Sequence, residues 1–162
     1  MLKKFKFNQF ESFPELIHAV SPRCFKNDRD EIEEFSFREH NEFEKTNSHV
    51  TGFLQSIGIA NGSLFYVNQV HGDKIFILND ANSTSSEVMK ASADAVLTHI
   101  PEKPIGVFTA DCLPILIYDP RLKVIGAIHA GRRGSEQSIF LKVIREMNRV
   151  YGSCPKDLMS GF

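Results

Sequence analysis

The sequence predicts an α/β domain in which strands and helices stack in layers, and three observations carry that prediction. Strand-like segments at residues 95–98, 113–118 and 124–129 follow in quick succession. Their apolar residues run almost without alternation, the pattern of strands covered on both faces. Over residues 135–151, Ile139, Phe140, Val143, Ile144, Met147, Val150 and Tyr151 fall on one helical stripe. Finally, 162 residues at 42% hydrophobic and 24% charged suit one globular domain, residues 1–162, able to bury a core without metal or disulfide staples.

Taken from the N-terminus, Lys3, Lys4 and Lys6 are followed by Asn8, Gln9 and Glu11 rather than an apolar run, which argues against a signal peptide. Residues 28–34 are mostly acidic without a period, and Phe35, Phe37 and Phe43 are scattered through polar sequence, which predicts solvated, irregular chain. Val50, Phe53, Leu54 and Ile57 then recur at helical spacing, with Asn47 placed as the N-cap and Gly58 as the residue that stops the helix. Residues 63–70 and 74–78 are extended and flank His71-Gly72-Asp73, so they predict a hairpin or bulged strand with His71 at its rim. Residues 79–93, rich in Asn, Ser and Thr, predict an exposed, mobile loop. Residues 105–109 form a further strand that resumes, after a break, as 113–118. The helix over 135–151 has Glu136 at its positive end and Gly152 as its C-terminal stop.

Composition removes several function classes. With 19 basic against 20 acidic side chains there is no global electrostatic footprint for nucleic acid or an anionic membrane. The apolar runs are far shorter than the roughly 20 residues of a membrane span. Three widely spaced cysteines, Cys24, Cys112 and Cys154, do not form a secreted disulfide framework, which predicts a reducing cytoplasm.

Three segments carry residues suited to chemistry. In Thr109-Ala110-Asp111-Cys112-Leu113-Pro114 a cysteine sits where an apolar strand breaks beside a proline that cannot donate to a ladder. It is either a functional thiol or a small apolar filler. In the segment from Val124 to Ser135, an apolar strand ends in His129 and runs through a glycine-bracketed loop with Arg132 and Arg133 into a helix. Free amides at a helix start and arginine forks both suit an oxyanion, while the bland reading is solvated arginines and a satisfied rim histidine. In Asn68-Gln69-Val70-His71-Gly72 the histidine is a turn residue or a ligand. Two imidazoles and one thiolate suit zinc and leave a fourth position open. Yet Cys112 follows His71 by 41 residues and precedes His129 by 17, which matches no compact zinc spacing. His18, His40, His49 and His99 have no comparable setting, and Cys24 and Cys154 read as structural.

Asn68-Gln69-Val70-His71-Gly72, Ala93-Asp94-Ala95, Thr109-Ala110-Asp111-Cys112-Leu113-Pro114 and His129-Ala130-Gly131-Arg132-Arg133-Gly134 stand in the order seen in the laccase-domain proteins, also called the multicopper polyphenol oxidase or YfiH family. His18-Ala19-Val20-Ser21-Pro22-Arg23 is similar to that family's N-terminal His-Gly-Phe-Ser-Thr-Arg, so the resemblance spans about residues 16–162. It implies an α/β/β/α layered sandwich with mixed sheets and a purine nucleoside enzyme that phosphorolyses adenosine, inosine and methylthioadenosine and also deaminates adenosine. It places the metal, zinc or alternatively copper, on His71, Cys112 and His129, with Asp94 as a polar support among the catalytic residues. Arg133 and Arg23 are the implied phosphate contacts, and the implied partners are a purine nucleoside and phosphate.

The chain departs from the family pattern in three places. Arg132 stands where the family has Trp, the stretch from Asp28 to Phe43 replaces a Gly-Gly pair and an Asn-Leu-Gly motif, and the family's Gly-Pro and Cys-Tyr segment would begin where Ser160-Gly161-Phe162 ends the sequence. The domain is therefore expected to be C-terminally shortened. Three other functions stay open: a cysteine hydrolase or deamidase in which His129 activates Cys112, a copper-dependent phenol oxidase, and an inactive shortened homologue that has kept the scaffold.

Overall fold

The computed structural model describes residues 4–26, 31–34, 43–60 and 63–162. The expectations for residues 28–30 and for Phe35 and Phe37 lie outside them. The chain divides into two compact units, Met1–Gly62 and Ser63–Phe162.

In the N-terminal unit, Phe5 and Val20 form an antiparallel bridge around a single 3-10 turn at Asn8–Phe10. Phe10, 1% exposed, packs edge-on against the rings of Phe7 and His18. Strands β1 (Cys24–Lys26) and β2 (Ile32–Glu34) pair antiparallel, so the end of the acidic run is strand rather than loop. Helix α1 (Phe43–Ser56) begins before Asn47, which is therefore an interior residue and not the N-cap. Its end follows the sequence: Gly58 adopts φ +94, a left-handed backbone that glycine takes without Cβ strain, and its N–H returns to the Gln55 carbonyl at 3.0 Å.

The second unit is built on a mixed five-stranded sheet of order β3-β4-β6-β5-β7. Its strands are β3 (Ile75–Leu78), β4 (Ala95–Thr98), β5 (Leu113–Asp119), β6 (Val124–Ala130) and β7 (Met159–Gly161). β3 and β4 are parallel and every other pair is antiparallel. Alternate residues of β4 serve two cores, as the pleat requires. Ala95 and Leu97 join Ile115, Ile117, Val124 and Ile128 beneath helix α4 (Ile139–Tyr151), which contributes Ile139, Val143 and Met147. Val96 faces the other way, with Leu78, Phe65, Val67 and Val88.

That second layer corrects three expectations. Residues 63–70 do not form a hairpin with 74–78. They bridge Phe65 to Ile105 and Asn68 to Ser92 in parallel, while β3 takes β4 as its partner. Residues 105–109 make only the bridge at Ile105 and do not form a strand. Nor are residues 79–93 wholly an exposed loop, because α2 (Ser85–Val88) starts on a capping box. The Thr84 hydroxyl accepts from the Glu87 N–H and the Glu87 carboxylate accepts from the Thr84 N–H. The box anchors Val88, 1% exposed, in the second core.

The long helix over 135–151 is also divided. A five-residue helix, α3 (Arg132–Glu136), ends before α4 starts, and Ser138 between them has φ +59. The apolar stripe itself begins only at Ile139, so α4 is the part that packing on the sheet supports. Glu136 consequently closes α3 rather than opening the long helix. Among the described residues, no helix is long and apolar enough to cross a membrane.

Candidate metal centre

The sheet's topology collects the chemistry-bearing residues at one end. β4 begins after Asp94, β5 begins after Cys112, and β6 carries His129 next to its last residue. β6 runs antiparallel to both neighbours, so its C-terminal end meets their N-terminal ends. The His129 N–H bonds the Asp94 carbonyl at 2.7 Å, and Leu113 pairs with Ala130, which sets Cys112 beyond the ladder across from Gly131. The turn before β3 supplies His71.

One ligand atom from each of His71, Cys112 and His129 lies within 4.8 Å of the other two. The imidazole rings stand edge to face, centroids 4.8 Å apart. His129 is buried at 2% exposure, Cys112 is half-buried and His71 is the most open of the three. Asp94, with 0% exposure, lies behind them. Its Oδ1 is 2.9 Å from His129 Nδ1 and accepts from the His71 N–H at 2.9 Å, while Oδ2 accepts from Gly72 N–H at 2.7 Å and Val70 N–H at 3.3 Å.

Two glycines give this end its close packing. A Cβ on Gly131 would lie 3.3 Å from Cys112 Sγ, 3.3 Å from His71 Cδ2 and 3.5 Å from His129 Cε1, so the residue leaves the space beside all three side chains open. A Cβ on Gly134 would come within 2.5 Å of the Gly72 carbonyl oxygen, which ties α3 to the turn that carries His71. A second tie is the ion pair between Lys142 of α4 and Asp73, which holds the Asp73 carboxyl below the usual carboxylate range. Sequence reading did not single out the Gly72–Gly134 and Asp73–Lys142 contacts. Each joins segments some sixty residues or more apart, and no local pattern marks it.

The donor set fits a metal. Nδ1 of His129 is occupied by Asp94, leaving Nε2 to ligate, and a carboxylate behind a ligating imidazole is the usual outer support. Two nitrogens and a thiolate match the ligand chemistry of zinc and accommodate copper. The same atoms also form a Cys112, His129, Asp94 series of the kind that activates a nucleophile.

The arginines are carried by other elements than these donors. Arg132 and Arg133 are exposed on α3, and among the described residues neither is paired with a carboxylate. α3 is one short turn, so it is not the long N-terminus on which an anion site was expected. Arg23 belongs to the N-terminal unit, where it faces Glu34 at 3.6 Å.

Comparison with known proteins gives the chain its relatives. A protein from Clostridium acetobutylicum named purine nucleoside phosphorylase is 36% identical over 93 residues, covering 57% of this chain and 37% of that one. A protein of the same name from Bacteroides thetaiotaomicron is 28% identical over 123 residues, covering 74% and 46%. The chain thus spans under half the length of these relatives. Among solved structures, YfiH from Bacillus licheniformis superposes with a TM-score of 0.68 at 22% identity, covering 78% of this chain and 50% of that one. YlmD from Geobacillus stearothermophilus gives 0.67 at 18%, covering 78% and 48%. Those likenesses establish the shared α/β fold. The family described as multi-copper polyphenol oxidoreductase laccase matches residues 31–162, and the chain belongs to that family.

Proposed function

We propose that this chain carries the metal centre of a purine nucleoside phosphorylase, with zinc held by His71, Cys112 and His129. The observation that supports it most is the convergence of these three donors within 4.8 Å, backed by a buried carboxylate, in a chain whose relatives bear that enzyme's name. Adenosine, inosine and methylthioadenosine are the proposed nucleosides. An oxygen of hydrogen phosphate attacks C1′ of the ribose, the C1′–N9 bond breaks with its electron pair going to the base, and the base takes up the proton that the phosphate gives up as ribose 1-phosphate forms.

Zinc, held by these three side chains, would supply Lewis acidity. The remaining roles fall to the chain itself. Asp94 keeps the His129 ring aimed at the site, and Gly131 leaves room beside it for a ligand. Arg133 offers two parallel N–H groups to a phosphate. Adenosine deamination is the proposed second activity of the same site. The proposed setting is the cytoplasm, where Cys112 stays reduced.

Metal analysis together with phosphate-dependent release of adenine or hypoxanthine, with and without chelator, tests this reading. Stoichiometric zinc, lost in Cys112→Ala along with base release, is the expected result. Zinc content and phosphorolysis unchanged in Cys112→Ala would sink it. The 2.9 Å contact between Asp94 and His129 also favours a second reading, a cysteine hydrolase or deamidase with Cys112 as nucleophile. Activity that survives chelation but not thiol alkylation selects it. Copper-dependent oxidation of a phenol substrate selects an oxidase, and cooperative melting without metal or nucleoside binding selects an inactive scaffold.

A further inference from the structure

We propose that Asp94 is a shared positioning residue that sets both histidines of the metal centre at once, the ring of His129 and the backbone of His71. Four hydrogen-bonding groups converge on its two oxygens: the amides of Val70, His71 and Gly72, and Nδ1 of His129. An ionised carboxylate only accepts and has about four lone-pair sites, so these partners saturate it. The ring nitrogen facing it is then the protonated one. This assigns His129 to the Nδ1–H tautomer and leaves Nε2 with the free lone pair that a metal needs.

The other half of the role lies in the backbone. His71 has φ +58, in the left-handed region, and a left-handed residue in a turn directs successive N–H groups into one concavity. At residues 70–72 that concavity holds the Asp94 carboxylate. The turn therefore keeps its shape around a buried carboxyl group, and its shape decides where the His71 side chain projects. Loss of the carboxylate disturbs two of the three donors together, although Asp94 is not itself a ligand.

Asp94→Asn separates charge and hydrogen-bond direction from size. The amide has one acceptor oxygen, and its NH2 group must face either Val70 and Gly72 N–H, or His71 N–H and His129 Nδ1. In the second case His129 relieves its own part of the conflict by moving its proton to Nε2, which removes its donor atom from the metal site, while the His71 N–H is left facing the NH2 group.

The proposal rests on the metal-centre reading for its effect on affinity, and the test keeps the two apart. In the metal-free wild-type chain, long-range proton–nitrogen NMR of the His129 ring is expected to show the Nδ1–H tautomer, and Asp94→Asn is expected to shift it toward Nε2–H. In competition with a chromophoric chelator, Asp94→Asn and Asp94→Ala are expected to weaken zinc binding on the order of 10- to 100-fold. An Nε2–H tautomer in wild type, or wild-type affinity in a folded Asp94→Asn, overturns the proposal. If wild type and Cys112→Ala bind zinc alike, the metal reading fails, while the tautomer result still decides what Asp94 does. Should the variants not fold, the wild-type tautomer by itself upholds or overturns the proposal.

Discussion

Gly134→Ala brings fold and site into one measurement. A Cβ there would stand 2.5 Å from the Gly72 carbonyl oxygen, where ordinary contact begins at 3.4 Å, so α3 and the 71–73 turn must part by about 0.9 Å. Alanine gains about 1 kcal/mol over glycine as a helix residue. Forcing an extra carbon against packed backbone costs about 1–3 kcal/mol, which leaves a net loss of roughly 0–2 kcal/mol. The site is expected to suffer more than the fold, since ligand distances tolerate only about 0.2 Å and Gly72 adjoins His71. Gly52→Ala is the matched control: Gly52 lies inside α1, and a Cβ there would meet nothing within 4 Å, so the substitution is expected to stabilise by up to about 1 kcal/mol. Thermal melts and zinc competition on both variants supply the numbers. The expected result is a lower melting temperature in Gly134→Ala and zinc binding weakened on the order of 10-fold or more. Gly134→Ala that melts as high as Gly52→Ala and binds zinc as wild type does would refute the reasoning.

Three more outcomes follow from the packing and the shifted groups. Met147→Ala, at a site with 0% exposure between α4 and the sheet, is expected to cost about 2–5 kcal/mol in denaturant unfolding, whereas Val150→Ala, 37% exposed on the same helix, stays within about 0.5 kcal/mol. Thr84→Ala removes the capping box of α2 and is expected to cost about 1 kcal/mol, read as faster amide exchange at Glu87 and Val88. Burial and the nearby Lys6 lower the pKa of His18, whose Nε2 accepts from Phe7 N–H at 3.0 Å. Its contribution to stability is therefore complete above the ordinary value of 6.5 and declines as pH falls from there through the lowered folded-state pKa. Melts at pH 7.5 and 5 check this: equal pH dependence in wild type and His18→Gln would contradict it.

The elements that sequence pattern anticipated are those whose burial shows locally. β4 has four consecutive fully buried residues, and β5 and β6 are near-continuous apolar runs, so two-sided burial is written into composition. The elements it misplaced depend on partners distant in the chain. His71-Gly72-Asp73 has the composition of a hairpin turn, yet β3 is parallel to β4, some twenty residues on. α2 spans only four residues, too few to display a period, although its Thr84 to Glu87 box is visible in the sequence. Over 135–151 the stripe starts at Ile139, and the left-handed Ser138 marks where packing on the sheet stops supporting one continuous helix.

At the site, residue types alone supplied the chemistry: two imidazoles, a thiolate, a carboxylate and glycines, in motifs that ally the chain with its family. Their spacing of tens of residues could not establish that they meet. Tertiary structure decided that, because β6 antiparallel to β4 and β5 brings Asp94, Cys112 and His129 to one end of the sheet, and Asp94 draws in the turn that carries His71. Side-chain chemistry is a property of each residue. Convergence is a property of the sheet's hydrogen-bond register, which no local stretch of sequence contains.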